Sequence, residues 1–111
     1  IRVTGPAEDD PRRTVALTYS GDTDACDGLT QAAIGADLLL SEAAFQEERD
    51  AVRGIHLTGL RARQAAAAAG ARRLVLTHLQ PWNDPAVSLA EARSAFDGPV
   101  ELARTDAVWT L

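Results

Sequence analysis

Cysteine is nearly missing from this 111-residue chain. Cys26 stands alone, so no internal disulfide can form and no cysteine-rich zinc cage can be built. That usage fits a reducing, cytoplasmic setting. Long apolar runs are missing too: the longest uncharged stretch falls well short of the roughly 18 to 20 residues that a membrane span needs, and no basic-then-apolar leader opens the chain. The expectation is an unexported protein with no membrane partner. Methionine is absent altogether, and Ile1-Arg2-Val3-Thr4 opens directly in strand-forming residues. The expectation is the carboxyl-terminal part of a longer polypeptide. Basic residues are outweighed, 11 against 16 acidic, giving a net charge of −5 and an isoelectric point near 4.8. Such a surface opposes broad nucleic-acid binding unless a local basic patch or metal ions compensate.

What is present suits a folded domain. Apolar residues make up 46% of the chain, enough for one domain with a modest core. The organising stretch is Thr18-Tyr19-Ser20-Gly21-Asp22-Thr23, in which a strand buried through Val15, Ala16 and Leu17 runs out at Gly21 and then presents the Asp22 carboxylate. Open α/β sheets keep their chemistry at such carboxyl ends of strands.

Taken in order, residues 1–4 and 13–19 read as a hairpin of two strands around the breaker-rich turn 5–11. Residues 27–34 carry Leu29, Ala32 and Ala33 at helical spacing, with Gly35 as the stop. Residues 37–41 form a continuous apolar run, the pattern of a strand covered on both faces, and end at Glu42. The charged stretch 43–54 reads as a solvated loop or short helix whose charges need no functional explanation. Thr58 can cap a helix that runs to Ala69 on a face of Ala62, Ala65, Ala66 and Ala69, and Gly70 ends it.

Residues 74–77 make another doubly buried strand, followed by the proline-rich loop 78–85. Ser88 and Glu91 have capping-box spacing, with Leu89, Ala92 and Phe96 as the buried stripe of the helix that follows. Residues 100–103 and 107–110 read as two short final strands. Strand and helix therefore alternate as in an α/β fold with a largely parallel sheet and an antiparallel edge hairpin.

The two histidines, His56 and His78, both follow apolar residues read as strand ends, at the same edge as Asp22. A carboxylate and two imidazoles are what a divalent metal such as zinc accepts. Each residue also has a plain reading: Ser-Gly-Asp-Thr is a common turn, and an imidazole can simply bond a backbone carbonyl. Cys26 reads as a buried small hydrophobe and Arg72 and Arg73 as solvated. Trp82 reads as covering apolar surface, with stacking on a nucleobase as the second reading.

Four stretches in this order, Tyr-Ser-Gly-Asp-Thr, Leu-Leu-Leu-Ser-Glu-Ala-Ala-Phe, Ile-His-Leu-Thr-Gly and Leu-Val-Leu-Thr-His-Leu-Gln-Pro-Trp, resemble the second half of a metallo-β-lactamase-fold phosphodiesterase. The branch most similar holds ribonuclease Z and the actinobacterial-type cyclic-nucleotide phosphodiesterases. The resemblance implies that residues 1–111 are the carboxyl-terminal part of one αββα sandwich domain, contributing a mixed sheet and its outer helices.

It further implies two divalent metal ions, zinc or less often manganese, with Asp22 bridging them and His78 bound to one. His56 would be the proton donor or phosphate stabiliser, and Glu42 would orient it. Ser41 and Ala44 depart from the family's usual His-Glu-Ala-Thr wording around Glu42. The family's first-half motif, His-x-His-x-Asp-His, occurs nowhere in these residues. The expected partners are therefore the amino-terminal half of the same domain, a small phosphodiester such as a cyclic nucleotide or alternatively an RNA, and a second copy in a homodimer. Without the other half the segment should be catalytically silent and its inner sheet face exposed. The competing expectation is a non-catalytic α/β binding module in which Asp22 caps a helix and both histidines are structural.

Overall fold

A computed structural model describes residues 1–94 and 97–111. The chain runs β1 (Arg2–Pro6), β2 (Thr14–Tyr19), α1 (Asp27–Ala33), β3 (Leu38–Glu42), α2 (Gly59–Ala69), β4 (Leu74–Thr77), α3 (Pro85–Arg93) and β5 (Val100–Leu102). The five strands lie in sequence order, β1 antiparallel to β2 and every later pair parallel. Each parallel step crosses over through one helix, and a consistent crossover hand leaves all three helices on one face.

Register shows how the core forms. One row crosses the sheet through Thr18, Leu39, Leu74 and Val100. Leu39, Leu74 and Val100 of that row join Leu29 and Ala33 of α1, the alanines of α2 and Ala92 of α3 in a single buried cluster. Alanine at 62, 65, 66 and 69 lets α2 lie close on the sheet, with Thr58 capping its start and Gly70, at φ 63°, ending it. The alternate row of Tyr19, Leu40, Val75 and Glu101 points to the other face. There Val75 and Leu38 are buried, Leu17 and Leu40 half-buried, and Val3 exposed, so this face is open only in part. Among the described residues no helix is long and apolar enough to cross a membrane.

Several expectations need correction. Helix α3 starts at Pro85 on the Asp84 cap, whose side chain accepts from Ala86 N–H. Ser88 is thus buried within the helix and is no cap. Glu91 instead accepts from the backbone N–H groups of Glu47 and Gly59. Phe96, assigned by periodicity to this helix, lies outside the described residues. Residues 107–110 form no strand. After a turn at Asp106, φ 62°, the tail leaves the β5 edge, and the Leu111 carbonyl accepts from Glu8 N–H.

Residues 43–54 are not simply solvated, since Ala43, Ala44 and Gln46 are buried and Glu47 and Arg53 are ion-paired. No strand leads to His56 either, only a single bridge between Phe45 and Thr58. Cys26 is exposed, as α1 begins beyond it without a side-chain cap. Trp82 is 72% exposed and covers little.

Candidate functional site

Three loops meet above the carboxyl ends of β2, β3 and β4, and one buried side chain ties the first two together. Glu42, the last residue of β3, is fully buried. Its Oε1 accepts from Thr23 N–H at 3.0 Å and Leu57 N–H at 3.1 Å and faces His56 Nδ1 at 3.0 Å; its Oε2 accepts from Ala44 N–H at 2.9 Å. Backbone N–H groups already point at this carboxylate, so it acts as an acceptor throughout. The proton of its contact with His56 therefore sits on Nδ1, which leaves Nε2 free of that role.

Asp22 is presented by a tight turn. Ser20 N–H donates to the Leu40 carbonyl, and the Ser20 hydroxyl accepts from Glu42 N–H, so the end of β2 is pinned to β3. Gly21 then takes φ 63°, a left-handed conformation that costs glycine little. The turn throws Asp22 into the open, 62% exposed, with its Oδ1 3.2 Å from His78 Nδ1.

His78 follows β4 directly and also has positive φ, 55°. For a residue other than glycine that conformation carries a cost of about 1–3 kcal/mol and recurs at functional sites. The two imidazoles meet edge to face with centroids 5.3 Å apart, and Phe45 and His56 form a second T-shaped pair at 5.0 Å. His78 Nε2 faces the Gln80 amide at 3.3 Å.

Asp22, His56 and His78 thus converge: one ligand atom from each lies within 4.8 Å of the others. Sequence reasoning named all three and Glu42. It put His56 at a strand end, whereas a loop before α2 carries it. It also placed a helix cap at Asp22 in one reading, and no such cap forms: the described partner of its carboxylate is His78.

The donor set fits a divalent cation. Two donors on one zinc, each about 2.1 Å from it, stand about 3.0–3.4 Å apart, and Asp22 and His78 stand 3.2 Å apart. Exposure grades inward from Asp22 through His78 at 37% and His56 at 19% to Glu42 at 0%. The site is thus open to solvent at Asp22 and closed at Glu42.

Residues that sequence reasoning missed stand just behind. Asp24 is buried; burial opposes its charge, but Arg53, the Gly54 and Ala25 N–H groups and Arg61 outweigh this and hold its carboxyl well below the usual range. The unfolded chain, with Asp24 near the ordinary value of about 3.9, then binds the proton more readily than the folded one. This contribution to stability is complete above pH ~4 and is lost as pH falls through the folded value. In denaturant titrations from pH 6 to about pH 2, wild type should exceed Asp24→Asn at the top of the range and the gap should close below pH ~4. A gap independent of pH would show that Asp24 is not held ionised.

Residues 8–79 match the model of the beta-lactamase superfamily domain. An uncharacterized protein of Mycobacterium leprae is 42% identical over 100 residues, covering 90% of this chain and 33% of its own length. The ribonuclease Z of Myxococcus xanthus is 46% identical over 97 residues, covering 84% of this chain and 32% of its own. The chain spans about a third of the length of the curated relatives it matches.

Among solved structures, the metallo-beta-lactamase fold protein YhfI of Bacillus subtilis superimposes with a TM-score of 0.79 at 27% identity. That match covers 97% of this chain and 47% of YhfI. With most of its length inside the family match and nearly all of it superimposed on a solved fold, the chain belongs to the beta-lactamase superfamily and has the metallo-β-lactamase fold.

Proposed function

We propose that this chain is the carboxyl-terminal half of a metal-dependent hydrolase domain that cleaves phosphodiester bonds, with a cyclic nucleotide as substrate. The observation that carries the reading is the convergence of Asp22, His56 and His78 at one sheet edge. Asp22 and His78 would hold metal together with ligands from the amino-terminal half. Two bound divalent ions, zinc or manganese, would supply charge neutralisation at the phosphoryl oxygens and water ionisable near neutral pH.

The rest falls to residues of this chain. With Nδ1–H committed to Glu42, His56 gives a proton or hydrogen bond to the departing oxygen from Nε2 in its imidazolium form, in which both ring nitrogens carry N–H. Such a positioned imidazole contributes a factor of about 100 to 10,000. Glu42, immobilised by backbone donors on both oxygens, fixes the direction of that ring. The second layer matters as much as the first here, because an imidazole free to rotate would seldom meet the leaving group.

The net charge of −5 favours a small substrate over a polyanion. The likeness to ribonuclease Z favours a second reading, endonucleolytic processing of transfer-RNA 3′ ends. In that case the amino-terminal half would have to supply the basic surface.

The test uses the full-length gene product. It should purify with about two equivalents of zinc or manganese and hydrolyse a 3′,5′-cyclic nucleotide. His56→Ala should keep the metal and lose at least about 100-fold in turnover. Loss of metal together with activity would make His56 a ligand instead. Cleavage of precursor transfer RNA in place of the cyclic nucleotide would select the second reading, and an intact protein free of metal would leave the binding-module reading standing.

A further inference from the structure

Behind the converging side chains lies an ion network centred on Arg61. This residue lies on the small-residue face of α2, in register with Ala62, Ala65 and Ala69, and is only 5% exposed. Its guanidinium makes three directed contacts: Nε donates to Glu47 Oε1 at 2.9 Å, and Nη1 donates to Asp24 Oδ1 at 3.2 Å and to the His56 carbonyl at 3.3 Å. Asp24 stands two residues beyond Asp22. Its other oxygen accepts from Arg53 and from Gly54 N–H, both at 2.8 Å. Glu47 is itself fixed by the Thr58 hydroxyl at 2.6 Å. One planar cation therefore joins the Asp22 loop, the backbone of His56 and the segment after β3.

Stability alone is a poor account of this arrangement. A buried ion pair pays a large desolvation cost, and well-packed apolar side chains of similar volume are often as stable or more so. A rigid fork joining three segments of two loops does what an apolar side chain cannot, which is to fix their relative positions.

We propose that Arg61 is a positioning residue for the site. It clamps the Asp22 and His56 loops together from behind, as Glu42 does from beneath, so that the convergence depends on two independent braces. The inference rests on the functional reading given above, but it has its own test.

In the full-length protein, Arg61→Met alone leaves the buried Asp24 with only the exposed Arg53 as its cation and destabilises the fold, so the decisive variant is Asp24→Asn combined with Arg61→Met, which removes both members of that buried pair. This variant should recover much of the thermal stability lost by Arg61→Met. Its kcat should nevertheless stay about 100-fold below wild type, the cost of a misplacement of about 1 Å, with KM little changed. In the metal-free protein, amide hydrogen exchange should quicken at residues 22–25 and 53–57 and stay unchanged within α2.

Recovery of both stability and kcat, with unaltered exchange in the loops, would show that Arg61 serves the fold only and would overturn the proposal. A wild-type protein inactive on every phosphodiester, with loop exchange still quickened in the variant, would overturn the substrate reading and leave the brace standing.

Discussion

Replacement of Glu42 by alanine is expected to bring the protein close to unfolding. The carboxylate is wholly buried and accepts from the N–H groups of Thr23, Ala44 and Leu57 as well as from His56. Alanine offers none of them an acceptor. Each buried donor left unpaired costs about 1–3 kcal/mol, so three backbone groups give a loss of about 3–6 kcal/mol once some water enters the gap. Native domains have only about 5–15 kcal/mol in total.

Glutamine separates charge from shape at the same position. Its carbonyl oxygen can serve the crowded Oε1 side, but its amide nitrogen would then oppose Ala44 N–H, donor against donor. The expected loss is smaller, about 1–3 kcal/mol, with the His56 ring no longer held by a carboxylate. Urea titration of both variants checks the order, wild type above Gln above Ala. If Ala were as stable as wild type, the segments around Thr23, Ala44 and Leu57 would have to be held by something other than this carboxylate.

The residues involved show how far the sequence alone could lead. Local pattern sufficed where the signal was local: apolar runs ending at Gly21 and His78, the Thr58 cap, the alanine face of α2 and the Gly70 stop all stand where spacing placed them. Pattern failed where a distant partner decided. Glu91 lies three residues after Ser88, which suggests a capping box, yet Asp84 followed by Pro85 had already started the helix, and Glu91 serves the backbone of two other segments.

Residues 43–54 looked solvated because their charges find partners only in three dimensions: Glu47 on Arg61, Arg53 on Asp24. One clue was present. Arg61 interrupts the small-residue stripe of α2 at a position that helical periodicity assigns to the interior, and an arginine there requires buried acids. The site itself was legible because Asp22, Glu42 and His78 follow apolar runs. The bracing behind it was not, because nothing in the spacing of Asp24, Glu47 and Arg61 joins them before the chain is folded.

The second large effect is expected at Gly59, the first residue of α2. Glycine at a helix start is ordinarily a weakness, and alanine in a helix interior is better by about 1 kcal/mol. Here the sign should reverse. A Cβ at this position would lie 2.1 Å from the Ser88 carbonyl oxygen, 3.0 Å from its carbon and 3.1 Å from Glu91 Cβ. The obstacle is backbone inside α3, and no side-chain rotation can relieve it. Helices α2 and α3 must separate, which also draws Glu91 Oε2 away from Gly59 N–H, now 3.0 Å distant. Overpacking a tight contact costs about 1–3 kcal/mol and occasionally more; with a backbone clash and a lost hydrogen bond, Gly59→Ala should lose about 3 kcal/mol. Because Glu91 also holds Glu47 N–H, and Glu47 holds Arg61, the separation should loosen the brace behind His56 as well. Thermal unfolding measures the first effect, and hydrogen exchange at residues 53–57 measures the second. A variant as stable as wild type would mean that the two helices have room to part, and that their close crossing does not set the position of the site.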